Sequence, residues 1–144
     1  DVTLTKATEV DLKKEAGHKV YNFDGKKILL VEDNQYNILV AKQILEKEKL
    51  LVEVAENGIE GMKMAEKNKY DVILMDIQMP FMDGYEATKE IRKFNKTIPI
   101  LALSASVFSE VKDSINQSGM NGFIFKPFNP DDLLFEINKA LKNK

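Results

Sequence analysis

The feature that most constrains this chain is an alternation of short apolar runs with longer segments of helical period, repeated from Lys26 to the carboxyl end. The runs at Lys27 to Val31, Leu51 to Ala55, Val72 to Met75, Ile98 to Leu103 and Gly122 to Phe125 have the length and composition of buried strands. Between and after them the spacing predicts helices at about Asn34 to Lys49, Asn57 to Asn68, Gly84 to Phe94, Val107 to Ser118 and Pro130 to Leu141. The last helix carries the fullest set of signals. Asn129 can cap it, Pro130 suits its first turn, Asp131 and Asp132 favour its positive end, and Leu133, Ile137, Ala140 and Leu141 share one face. Strands this apolar imply a sheet covered on both sides, and right-handed crossovers wind such a parallel sheet with helices on either face. The expected fold is α/β, with any ligand at the carboxyl ends of the strands.

Length and charge narrow the functions. A chain of 144 residues fits one ordinary domain, and a net charge of −2 supplies no field for a polyanion, which argues against direct nucleic-acid binding. The absence of cysteine removes disulfides and thiolate metal sites and suits a reducing compartment, with the cytoplasm as the default. No run reaches the length of a membrane span, so no membrane contact is expected of this domain. Residues 1–25 are polar and mixed in charge, contain Gly17 and Gly25, and lack the apolar centre of a signal peptide; they read as a linker or amino-terminal extension, with the domain at 26–144. A start at Asp1 fits a segment excised from a longer protein.

The strand ends carry the chemistry. Glu32 and Asp33 follow the first strand, Asp76 the third, Ser104 the fourth, and Lys126, before Pro127, the fifth. Three carboxylates at one sheet edge repel one another unless a cation sits among them, and a hard divalent ion with oxygen ligands is the economical answer. Lys126 adds positive charge and Ser104 a hydroxyl. Together such groups suit a phosphoryl group in flight to Asp76, a reaction that needs mostly positioning and charge stabilisation.

The segments ILLVEDNQYN at 28–37, DVILMDIQMPFMDGYEAT at 71–88, LALSAS at 101–106 and GFIFKPF at 122–128 occur in order and at fitting distances. In these the chain resembles the receiver domains of two-component response regulators, over roughly residues 26 to 142, and most closely the receivers of hybrid sensor histidine kinases. The resemblance implies a flavodoxin-like, doubly wound, five-stranded parallel sheet of strand order 2-1-3-4-5 with five helices. It also implies that Asp76 is the phosphoacceptor, in a domain that catalyses its own phosphorylation and dephosphorylation. Mg²⁺, with Mn²⁺ as an alternative ion, would be held by the Asp33 and Asp76 carboxylates, by the Gln78 backbone carbonyl, and through water by Glu32. Ser104 and Lys126 would contact the phosphoryl group, Phe123 would swing inward on activation, and Lys126-Pro127 would be cis. Gln78 and Ser106 occupy the positions that tune phosphoryl lifetime, and with no acidic side chain at either, a moderate rate of autodephosphorylation is expected. The implied phosphodonor is a histidine kinase domain or a histidine phosphotransfer protein. It would meet the first helix, while the fourth helix, fifth strand and fifth helix make state-dependent contacts, in a monomer or weak dimer. The parent would be a hybrid kinase, itself membrane-anchored in many such systems. Ser104 stands where threonine is commoner, and Gly61 interrupts the second helix where alanine is usual, at a helix cost of about 1 kcal/mol.

Taken singly, Glu32 and Asp33 read as first-turn helix acids, Lys126 as a solvated lysine and Phe123 as core; it is their convergence that points to a site. His18, alone in the linker, reads as solvated, and Met62, Met64, Met75, Met79 and Met82 as packing residues. A haloacid-dehalogenase-type phosphohydrolase would need an acid two residues after Asp76, where Gln78 stands. A flavin- or nucleotide-binding relative would need a glycine-rich loop after the first strand. A non-phosphorylated pseudoreceiver, acting as an interaction module, would lack one of the site residues.

Overall fold

The computed structural model describes residues 21–105 and 109–143. It contains β1 (Lys27–Val31), α1 (Gln35–Lys47), β2 (Leu51–Ala55), α2 (Gly58–Lys67), β3 (Val72–Asp76), α3 (Gly84–Arg92), β4 (Ile100–Ser104), α4 (Ser109–Ser118), β5 (Gly122–Phe125) and α5 (Pro130–Lys142). The strands form one parallel sheet in the order β2-β1-β3-β4-β5. This is the flavodoxin-like, doubly wound arrangement expected from the sequence. None of the described helices is long and apolar enough to cross a membrane.

Alternation along the strands divides the core into two layers. Ile28, Leu30, Val72, Leu74, Leu101, Leu103 and Ile124 pack on one face with Ile38, Leu45, Leu133 and Ile137 of α1 and α5. Leu29, Val31, Ile73, Met75, Ile100 and Ala102 pack on the other with Ala87, Ile91 and Ile115 of α3 and α4, joined by Met62, Met64, Met79 and Met82. The methionines therefore pack, as expected. The first layer reaches back beyond the expected boundary at Lys26: Phe23 is only 1% exposed, and Tyr21 stacks on it at 5.3 Å between ring centroids. The domain thus begins its packing inside the stretch expected to be linker, because an aromatic pair supplies burial that polar composition around it conceals. His18 and the rest of residues 1–20 lie outside the described residues.

Local chemistry sets the ends of the elements. Asn34, Asn57 and Asn129 each cap a helix through the side-chain oxygen. Helix α1 stops at Lys47, short of the expected Lys49. There Leu50 N–H donates to Leu45 O, Lys49 N–H donates to Glu46 O, and Lys49 takes φ 67°, a Schellman ending without glycine. Strand β4 begins at Ile100 rather than Ile98, since Asn95 Oδ1 accepts the N–H groups of Thr97 and Ile98 and holds that stretch in a turn. Asn121, between α4 and β5, joins elements: its Oδ1 accepts from Ile100 N at 2.8 Å and from Arg92 Nη2 at 2.9 Å, while Arg92 Nε donates to Gly119 O at 3.0 Å.

Gly61 corrects the expectation of a simple helix penalty. A Cβ there would lie 2.8 Å from Val31 Cγ2, so the missing side chain is what lets α2 lie on β1.

Candidate functional site

The carboxyl edge of the sheet gathers side chains from four strand ends, because parallel pairing in register brings Val31 beside both Ala55 and Met75, Asp76 beside Leu103, and Ser104 beside Phe125. Glu32 continues β1 and is fully buried, and its N–H is still donated to Ala55 O. Asp76 ends β3 and is 3% exposed. The Lys126 side chain, 16% exposed, donates through its ammonium to Asp76 Oδ1 at 3.1 Å and to Glu32 Oε1 at 3.2 Å. Backbone donors complete the shell: Asn34 N–H reaches Glu32 Oε2 at 3.2 Å, and Gln78 N–H reaches Asp76 Oδ1 at 3.3 Å. Lys126 is anchored by its own N–H to Ser104 O at 2.9 Å and by a cis bond to Pro127.

One ammonium does not balance the acids. Asp33, Glu32 and Asp76 each present a carboxylate oxygen within 4.8 Å of the others. Burial first, and then the negative charge of Glu32, push the Asp76 carboxyl up to about 7, although Lys126 pulls it down. Burial opposes the charge on Lys126, yet Asp76 and Glu32 outweigh it and raise the ammonium above its ordinary value. A surplus of negative charge held on hard oxygen donors is the donor chemistry of Mg²⁺, so these residues fit that ion.

Beside the acids lies a cavity of about 1080 Å³, lined by Asp76, Gln78, Pro80, Tyr85, Ser104 and Lys126 among others. The wall that carries Asp76 is fixed by backbone packing. Gly84 N–H donates to Ile77 O at 2.9 Å, and a Cβ on Gly84 would collide with the Asp76 carbonyl oxygen. Asp83 and Glu86 form a capping box that starts α3 there.

The structure therefore brings together Glu32, Asp33, Asp76 and Lys126, and sets Ser104, 5% exposed, and Gln78 on the same cavity. Phe123 lies elsewhere, packed on the α2–α4 side of the sheet with its ring 5.0 Å from that of Phe125 and the Lys112 ammonium 5.3 Å from its centroid. Ser106 lies outside the described residues. Sequence reading passed over Gly84 and Phe81. The first was legible only as a helix start in a resembling segment; the second was signalled by a phenylalanine amid the turn-forming residues Pro80, Asp83 and Gly84.

Known proteins share this arrangement. Residues 28–138 match the response regulator receiver domain. Hybrid signal transduction histidine kinase K of Dictyostelium discoideum is 40% identical over 138 residues, an alignment covering 90% of this chain and 11% of the kinase. The chain thus spans only a small part of the curated relatives it matches. The receiver domain of a Pseudomonas aeruginosa sensor histidine kinase, with magnesium coordinated in its active-site cleft, has a TM-score of 0.77 at 37% identity, covering 82% of this chain and 98% of that one. The receiver domain of the Saccharomyces cerevisiae response regulator Ssk1, co-crystallised with the histidine phosphotransfer protein Ypd1, gives 0.76 at 31% identity, covering 80% and 88%. With the sheet order, the acid cluster and the family match in agreement, this chain belongs to the response regulator receiver domains of two-component signalling.

Proposed function

We propose that the chain is a phosphorelay receiver in which Asp76 takes a phosphoryl group from a phosphohistidine in a Mg²⁺-dependent reaction. The observation that carries this reading is a nearly buried Asp76, in an over-acidic cluster, opening on a cavity shared with Ser104 and Lys126. The Asp33 and Asp76 carboxylates and the Gln78 carbonyl would hold the ion, with Glu32 acting through water. Mg²⁺, when bound, neutralises oxygens of the incoming phosphoryl group and the excess acid charge.

The chain's own residues do the rest. An Asp76 carboxylate oxygen attacks phosphorus in line while the bond to the donor nitrogen breaks, and the leaving imidazole keeps its electron pair and takes a proton. Lys126, already on Asp76 Oδ1, has only to shift its ammonium to a phosphoryl oxygen, and the Ser104 hydroxyl donates to another. Movement of Ser104 would then be felt by Phe123 and the α4, β5 and α5 face, giving two states with different partners. The donor would be a cytoplasmic histidine kinase domain or phosphotransfer protein reaching α1; that a similar receiver forms a complex with the phosphotransfer protein Ypd1 supports a donor of this class. Gln78 and Ser106 would set the lifetime.

Incubation with acetyl phosphate and Mg²⁺ should add one phosphoryl mass, lost with chelator and in Asp76→Asn; an undiminished adduct in that variant would refute the assignment. A beryllofluoride phosphate mimic should shift amide resonances from Ser104 through Phe123, and a response confined to the surroundings of Asp76 would refute the switch.

A further inference from the structure

Phe81 is at odds with its surroundings. It is 89% exposed, more than any other large apolar side chain among the described residues, and it sits at φ 71°. That left-handed conformation is strained for a bulky residue and natural for glycine or asparagine. The ring gains no burial that would offset the strain.

The loop holds this geometry through its backbone rather than through Phe81. Met82 N–H donates to Pro80 O at 2.8 Å, Gly84 N–H donates to Ile77 O, and a Cβ on Gly58 would collide with the Met82 carbonyl oxygen. The turn is thus clamped between α2 and the end of β3, and any side chain at position 81 is displayed on a rigid mount. Strain retained where the surroundings over-determine it points to function.

Its location says what the display is for. Pro80, the preceding residue, lines the cavity that opens on Asp76. Across the acid cluster, Asp33 leads into α1, whose outer surface shows Tyr36 and Leu39, 71% and 54% exposed. Large apolar groups therefore stand on the helix that follows Glu32 and Asp33 and on the loop that follows Asp76. Asp76 is almost fully buried, so a side chain carrying a phosphoryl group can reach it only if its own protein surface closes over this rim.

Resting on the phosphoacceptor reading above, we propose that Phe81 is an apolar anchor for the protein phosphodonor, gripping an apolar patch around the donor's phosphohistidine together with Tyr36 and Leu39. Phe81 takes no part in the chemistry at Asp76. It serves association with a protein donor and is idle toward a small one.

The test compares two donors, phosphorylated Ypd1 from yeast and acetyl phosphate, on native chain, Phe81→Asn and Phe81→Trp. Transfer from Ypd1 should fall about tenfold or more in Phe81→Asn, as for an interface hot spot, and persist in Phe81→Trp. Labelling by acetyl phosphate should be equal in all three. Phe81→Asn should also melt no lower than the native chain, since asparagine accepts the left-handed backbone. Equal Ypd1 rates for native and Phe81→Asn, or no transfer from Ypd1 to a native chain that acetyl phosphate labels, would overturn the proposal. So would self-association of the native chain that vanishes in Phe81→Asn while Ypd1 transfer stays the same, which would assign the ring to a second copy. Failure of acetyl phosphate to label Asp76 strikes instead at the phosphoacceptor reading.

Discussion

Near the amino end of the sheet, Tyr70 donates its hydroxyl to Glu53 Oε1 at 2.6 Å, and the Lys27 ammonium lies 3.4 Å from Glu53 Oε2 and 5.6 Å from the Tyr70 ring centroid. Lys27 N–H is donated to Asp71 Oδ2 at 2.8 Å. At the carboxyl end, Glu32 and Asp76 share Lys126, and the Asp33 carboxylate lies within 4.8 Å of theirs. The first cluster matches donors to acceptors: the Tyr70 hydroxyl, and then Lys27, hold Glu53 below the usual carboxylate range against its slight desolvation, while burial and the bond to Glu53 push Tyr70 up to about 12. The second leaves acid in surplus and its central carboxyl raised to about 7. Folding alone accounts for the first. The second is an arrangement that the apo domain tolerates at a cost and that a bound cation would relieve.

The sharpest way to break this contrast is to remove the cation that Glu32 and Asp76 share. Lys126→Met should destabilise the metal-free domain by about 2–4 kcal/mol, as loss of one member of a largely buried pair does, in urea denaturation with chelator present. A loss under about 0.5 kcal/mol, the range of an exposed surface pair, would mean that the acids do not depend on Lys126.

Removing an acid should act in the opposite direction. Asp76→Asn should stabilise the metal-free domain at pH 7.5 by about 1–2 kcal/mol, less than the raised carboxyl would allow because the amide must still be satisfied. The pH profile gives the same sign. The folded-state value of Asp76 lies above its ordinary 3.8, so the folded domain holds the proton more tightly and that stabilisation is complete below about 4 and lost as pH rises toward 7. Stability of the metal-free chain should therefore decline between about pH 4 and 7, the window between those two values, and Asp76→Asn should flatten the decline. An equal slope in the variant would place the titrating group elsewhere.

The smallest effect belongs to the matched cluster. Tyr70→Phe should cost about 1 kcal/mol, the net worth of one hydrogen bond. It should also abolish a high-pH transition: Tyr70 is raised from 10 to about 12, so its contribution is present below pH 10 and lost on going to 12. Spectrophotometric titration of the tyrosines would show whether the highest step disappears with Tyr70.

How much of this was legible in the sequence follows from what each contact depends on. Strands β1, β2 and β5 were found to the residue because an apolar run and its flanking turns are local. The convergence of Glu32, Asp33, Asp76, Ser104 and Lys126 was legible because parallel order sends every strand end to one edge. The matched cluster was not, since nothing in the chain announces that Tyr70 reaches Glu53. Nor was the need for Gly61, which arises from Val31 on another element. The late start of β4 was hidden because Asn95 takes the backbone donor that the apolar Ile98 would otherwise offer to the sheet.

The double use of Asn121 bears on how a signal could cross the sheet. By accepting from both Ile100 N–H and Arg92, it rivets the first residue of β4 to α3 and, through Arg92 and Gly119, to the turn that launches β5. The far end of β4 is Ser104, on the cavity. A strand fastened at its foot cannot slide along its neighbours without breaking the rivet, so a displacement at Ser104 would have to pivot about that foot, largest at the cavity edge and smallest at the opposite one.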